Sequence, residues 1–185
     1  MIVLSVGMPR AGSGWHYNLI HDLMKTTGCA DARDIREKFK LQKILTEVNC
    51  NIGVLSARRL GMTAIPALMG NTFVIKAHAG PTTTSRLFQR LGLLHITYIY
   101  RDPRDMLVSQ VFFATDMHEE HGMHDFYNSL PDFGERLKVA ITGVDRDGLK
   151  MVSVQQRYEG VFAWLATPGV MCLRFEDLIN NCDAT

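Results

Sequence analysis

Residues able to do chemistry fall in three short stretches. The first is GMPRAGSGW, residues 7–15, where Gly12 and Gly14 bracket Ser13 shortly after the apolar run IVLSV at 2–6. Glycines let a backbone approach an anion closely, a helix start beyond them supplies N–H donors and partial positive charge, and Ser13 adds a hydroxyl. The second stretch is Lys76-Ala77-His78, at the end of the run FVIKA. Alternation along a strand sends Lys76 and His78 to one side, a cation beside an imidazole that titrates near neutrality and can take a proton from a hydroxyl. The third is RDPRDMLVS at 101–109. Its Asp102, Pro103 and Asp105 are explained by a helix start, as N-cap, first-position proline and first-turn acid. Leu107, Val108, Val111 and Phe112 read as packing and Arg104 as a solvated charge. Arg101 and Ser109 are left over, a guanidinium that can grip an oxyanion bidentately and a hydroxyl that can donate once more.

The glycine loop departs from that of a nucleoside triphosphatase, which carries Lys and then Ser or Thr directly after its second glycine. Ser13 and Gly14 occupy those places. Cations come instead from Arg10, earlier in the loop, and from Lys76. A second pattern, HEEHGMH at 118–124, spaces His118, His121 and His124 like metal ligands. A zinc protease requires H-E-x-x-H, with histidines four apart on a helix, and Gly122 interrupts a stretch that reads as loop. No metal is expected, and the stretch is expected to be a surface loop.

MPRAGSGW, KAH and YRDPRDMLVS resemble, in order, the 5′-phosphosulfate loop, the lysine-x-histidine segment and the 3′-phosphate motif of the sulfotransferases. These enzymes use PAPS, 3′-phosphoadenosine 5′-phosphosulfate. LRFEDL at 173–178 is similar to the family's later strand-end motif. The resemblance implies that Arg10, where the family usually has lysine, holds the 5′-phosphate and the bridging oxygen, with Ala11, Gly12, Ser13 and Gly14 completing the loop. It implies that Lys76 stabilises the transferring group, that His78 is the base, and that Arg101 and Ser109 hold the 3′-phosphate. Trp15 matches an aromatic that stacks on adenine, although its place on a helical stripe equally fits a core residue. Three departures stand out. Phe175 takes the place of a tyrosine, Gly14 replaces a hydroxyl residue, and the chain ends at Asn180-Asn181-Cys182-Asp183-Ala184-Thr185. The family continues there into a basic, glycine-containing segment that closes over the nucleotide.

The elements that must position these residues are marked by the apolar runs. IVLSV, FVIKA, ITYIY at 96–100 and VMCLRF at 170–175 are apolar at consecutive positions, as in strands covered on both faces of a parallel sheet. Helical patterns lie between them. The first has a stripe of Trp15, Leu19, Ile20, Leu23 and Met24, with Gly28 as stop. Others are expected at 31–48, 83–91, 103–114, 134–142 and 151–166, with 49–72 loosely helix and loop and 116–134 a surface loop. The fold class is α/β, a three-layer, mainly parallel sheet flanked by helices. The resemblance implies the P-loop-like sulfotransferase fold, with residues 1–185 expected to form a single domain without the closing segment.

Composition narrows the partners. With 46% hydrophobic and 21% charged residues the chain is an ordinary globular one. Twenty Lys and Arg against 19 Asp and Glu leave no basic field for nucleic acid, so an anion site must be local. The N-terminal apolar run is too short for a membrane span. Cys29, Cys50, Cys172 and Cys182 are scattered, which favours a reducing, cytoplasmic setting. The expected activity is sulfuryl transfer from PAPS, without metal, to a hydroxyl or amine of a small-molecule or glycan acceptor. A P-loop kinase and a non-catalytic nucleotide-binding domain are the alternatives.

Overall fold

The computed structural model describes residues 1–146 and 148–180; Asp147 and the tail from 181 to 185 lie outside the described residues. In chain order the elements are β1 (Ile2–Gly7), α1 (Ser13–Thr26), α2 (Ala32–Lys38), α3 (Ala57–Leu68), β2 (Phe73–Ala77), α4 (Thr83–Arg90) and β3 (Leu94–Tyr100). Next are α5 (Pro103–Phe112), a π-helical turn (Phe113–Met117), α6 (His124–Asn128), α7 (Phe133–Thr142), β4 (Val144–Arg146) and β5 (Leu149–Met151). Last come α8 (Val154–Phe162), β6 (Met171–Arg174) and α9 (Phe175–Asn180). The chain divides into two compact units, Met1–Tyr100 with Val161–Thr185, and Arg101–Gly160.

The first unit is built on a parallel sheet in the order β2-β1-β3-β6. Every residue of β1 and β2 is buried, as the uninterrupted apolar runs require of strands covered on both faces. From β1 the chain crosses to β2 on one side, then returns past β1 to β3 on the other. The carboxyl end of β1 therefore lies beside the point where strand order reverses, the place where open α/β sheets hold ligands. The glycine loop leaves the sheet there.

Register fixes the two faces of this sheet. Val3 lies opposite Val74, and Ser5 opposite both Lys76 and Thr97, so these side chains share one face. Helix α1 covers it: Tyr17 packs with Val3 and Val74, and Met1, Ile20 and Met24 close around them.

Several expectations are corrected. The buried positions of α1 include Ser13, His16, Tyr17 and His21, whereas Trp15 is 50% and Leu23 55% exposed. Trp15 is thus not a core residue. The inward face carries polar groups because the sheet beneath it does, and His16 meets Ser5. The helix expected over 31–48 ends at Lys38. Lys40 takes a left-handed φ of 53°, its N–H bonds the Glu37 carbonyl, and the Leu41 N–H reaches back to Arg36 at 2.8 Å. This is a Schellman closure with lysine where glycine is usual, and so it left no signal in the sequence. At the other end of the chain β6 stops at Arg174, and Phe175 opens a helix.

The second unit is largely helical. Asp102 caps α5, accepting from the Arg104 N–H at 2.9 Å, with Pro103 in the first turn, as expected. The guanidinium of Arg157 ties α8 to its neighbours, donating to Gln110 Oε1 at 2.7 Å and to the Ala140 carbonyl at 3.0 Å. The stretch expected as loop, 116–134, contains α6 and the end of the π-helical turn, and an antiparallel hairpin of β4 and β5 lies between α7 and α8.

Candidate functional site

The glycine loop is held by its own backbone. Ala11 N–H bonds the Met8 carbonyl at 3.1 Å, and His16 N–H bonds the Gly12 carbonyl at 2.9 Å to begin α1. Gly12 is the N-cap at φ 80°, a conformation that favours glycine, and it contributes no capping side chain. A Cβ on it would lie 2.4 Å from a ring carbon of Phe175. Phe175, the departure from the family motif, therefore packs its ring on the loop. Arg10 also takes a left-handed φ, 67°, and is partly exposed at the loop's turn. Ser13 is buried at the first position of α1.

Lys76 enters this region from β2. It is only 7% exposed, its side chain makes no hydrogen bond or ion pair among the described residues, and its ammonium lies 4.0 Å from the point where a Cβ on Gly14 would stand. Burial holds its pKa below the ordinary lysine value. A buried ammonium without a partner beside the start of a helix is costly unless an anion shares the space.

His78, just beyond the end of β2, turns Nδ1 to the Gly7 carbonyl at 2.5 Å. A carbonyl only accepts, so Nδ1 carries the proton and donates it, and the lone pair resides on Nε2. Burial and, less strongly, Lys76 lower the His78 pKa, while the Gly7 hydrogen bond opposes them. The imidazole is therefore neutral at pH 7 and competent as a base.

Sequence reasoning missed His16. It is fully buried, with Nδ1 and the Ser5 hydroxyl 2.9 Å apart, and its Nε2 has no hydrogen-bond partner among the described residues. Burial, followed by the charge of Lys76, lowers its pKa to about 4. The available signal was Ser5 itself, a lone hydroxyl in an otherwise apolar strand that needs a partner from the covering helix.

The remaining expected ligands, Arg101 and Ser109, belong to the second unit. Both are partly exposed, one directly after β3 and the other two turns into α5. In the same unit His118 and His121 stand edge to face with ring centres 6.3 Å apart, and His124 is engaged with the Ala114 carbonyl at 2.8 Å. Among the described residues no group of three His, Cys, Asp or Glu side chains is placed to hold a metal ion.

No protein-family model and no curated protein matches the chain. Solved structures do. Mouse sulfotransferase SULT7A1, complexed with PAP, superposes with a TM-score of 0.53 over 98% of this chain and 54% of its own, at 14% identity. Retinol dehydratase, in complex with androsterone and the inactive cofactor PAP, matches with a TM-score of 0.50 over 98% of this chain and 56% of its own, at 16% identity. This is the sulfotransferase fold. The chain spans just over half the length of those two proteins. Within the sulfotransferase fold as this chain builds it, the glycine loop, Lys76 and His78 belong to one unit. Among the described residues no helix is long and apolar enough to cross a membrane.

Proposed function

We propose that this chain binds PAPS and transfers its sulfuryl group to a hydroxyl or amine of an acceptor. The observation that carries the reading is the buried ammonium of Lys76, which has no hydrogen-bond or ion-pair partner among the described residues and is set against the start of α1. An anion is the one partner that offsets the cost of that charge.

In this reading the N–H groups at Ser13 and Gly14 hold the 5′-phosphate, and Arg10 stabilises the charge that grows on the bridging oxygen. Arg101 and Ser109 hold the 3′-phosphate, and the half-exposed Trp15 offers a face for adenine. The acceptor oxygen or nitrogen attacks sulfur in line. As its bond to sulfur forms, the bond from sulfur to the bridging oxygen breaks, and the electron pair leaves with the 5′-phosphate of PAP. His78 Nε2 takes the acceptor's proton, and Lys76 neutralises the equatorial oxygens of the sulfuryl group. No step requires a metal ion.

Calorimetry with PAP and a transfer assay with labelled PAPS test this together. The protein is expected to bind PAP, and His78→Ala is expected to keep that affinity while losing transfer by about 10²- to 10⁴-fold. A folded protein with no affinity for PAP would falsify the proposal.

A further inference from the structure

Within the first unit, residues 40–44 and the first turns of α3 enclose a cleft of about 370 Å³. Four cations line it, Lys40, Lys43, Arg58 and Arg59, together with Ser56 and the apolar Ile44, and no carboxylate is among its lining residues. Lys40, Lys43 and Arg58 enter no ion pair among the described residues. Glu37, the acid near this turn, is engaged by Arg36 and Gln42 instead.

Like charges gathered in one concavity repel each other, and the local chain adds to the conflict. Arg58 and Arg59 occupy the first turn of α3, where a helix favours acids, and that turn contains none. A concavity that sets four cations together, with no carboxylate among its described lining residues, attracts an external oxyanion.

The cleft is joined to the strand that carries Lys76. Arg59 Nη1 donates to the Ile52 carbonyl at 2.5 Å, and the Ile52 N–H donates to the Lys76 carbonyl at 2.9 Å. The Cys50 carbonyl accepts from the Lys76 N–H at 3.3 Å, so the segment 50–52 runs alongside β2. The strip of backbone that accepts from Arg59 of the cleft thus also pairs with the strand that carries Lys76.

We infer that this cleft binds an oxyanion carried by the acceptor, a sulfate, phosphate or carboxylate substituent, and that the acceptor is therefore an anionic molecule anchored away from the sulfur it attacks. Its role as acceptor rests on the proposed sulfuryl transfer, whereas oxyanion binding by the cleft does not.

The test is calorimetry at low salt with a sulfated disaccharide, its unsulfated counterpart, inorganic sulfate and PAP, on the intact chain and on the double variant K43A/R58A. The sulfated disaccharide is expected to bind the unmodified chain and the unsulfated one not to. Affinity for the sulfated compound should fall about tenfold in the double variant, while PAP binding is unchanged and the melting temperature does not fall. The single variants K43A and R58Q, measured alongside, should each show part of the loss. Equal binding of the two disaccharides, or equal affinity in the folded variants, overturns the cleft. Inorganic sulfate binding as tightly as the sulfated disaccharide overturns the acceptor in favour of a free anion. Absence of PAP binding, with the disaccharide result intact, removes the acceptor role and leaves an anion cleft alone.

Discussion

His16, sealed beneath α1 with Nδ1 on the Ser5 hydroxyl, must stay neutral. Its folded pKa of about 4 lies below the ordinary 6.5, so the unfolded chain takes up a proton that the fold refuses. Its contribution to stability is complete above pH 6.5 and is lost as pH falls toward 4, in all about 3 kcal/mol. Urea midpoints measured across that window should fall more steeply for the unmodified chain than for His16→Gln. Identical slopes would show that His16 is protonated without penalty. Lys76 presents the opposite balance. With its ammonium buried and without a partner among the described residues, Lys76→Met is expected to stabilise the ligand-free protein by about 1–2 kcal/mol, yet to weaken PAP binding by about 30-fold through loss of a charge-assisted contact. A variant less stable than its parent would show that the charge has a partner within the fold. For His78, lowered below 6.5 by burial and then by Lys76, transfer should be level through neutral pH and decline only on the acid side of the usual imidazole range.

Among the elements, the join between β1 and α1 is the least tolerant. Gly12→Ala meets two obstacles, a φ of 80° and the Phe175 ring 2.4 Å from the new methyl. The expected loss is at least ~2 kcal/mol, together with weakened PAP binding, since the loop and α9 must part to admit it. Thermal melts with and without PAP measure both effects, and a variant that melts like its parent would mean that Phe175 does not rest on the loop. Strands β1 and β2 were legible in the sequence because both bury every residue, and FVIKA is β2 to the residue. ITYIY lacks only the first two members of β3, whereas β6, expected from VMCLRF to be covered on both faces, is mostly exposed, and the short β4–β5 hairpin carried no apolar run. The helix α1 was legible as a helix but not in its orientation. The apolar stripe drawn through Trp15 and Leu23 assumed an apolar partner, whereas the sheet face below carries Ser5, Lys76 and Thr97 and selects His16 instead. The end of α2 escaped because Lys40 closes it in a conformation that normally announces itself by glycine. The loop, Lys76 and His78 were visible as residue types. The hydrogen bond from His78 to Gly7 spans 71 positions in the chain and sets the tautomer, which no local pattern encodes.

At the scale of the whole molecule, the residues proposed to hold the nucleotide are divided between two units, with Arg10, Lys76 and His78 in the first and Arg101 and Ser109 in the second. A ligand that binds only the folded state stabilises by about 2.7 kcal/mol at one hundred times its dissociation constant, and does so for whichever segments it contacts. Amide hydrogen exchange can therefore be followed in each unit separately. If both phosphates are gripped as proposed, PAP should slow exchange in residues 7–16 and also in 101–110. Arg101→Ala should abolish the second protection, leave most of the first, and weaken binding by about 30- to 100-fold, the worth of a bidentate charged contact. Adenosine 5′-phosphate, which lacks the 3′-phosphate, should protect the first segment alone and be indifferent to Arg101→Ala. Protection confined to 7–16 with PAP, unchanged by Arg101→Ala, would remove Arg101 and Ser109 from the site and leave the glycine loop with Lys76 as a simple phosphate cradle.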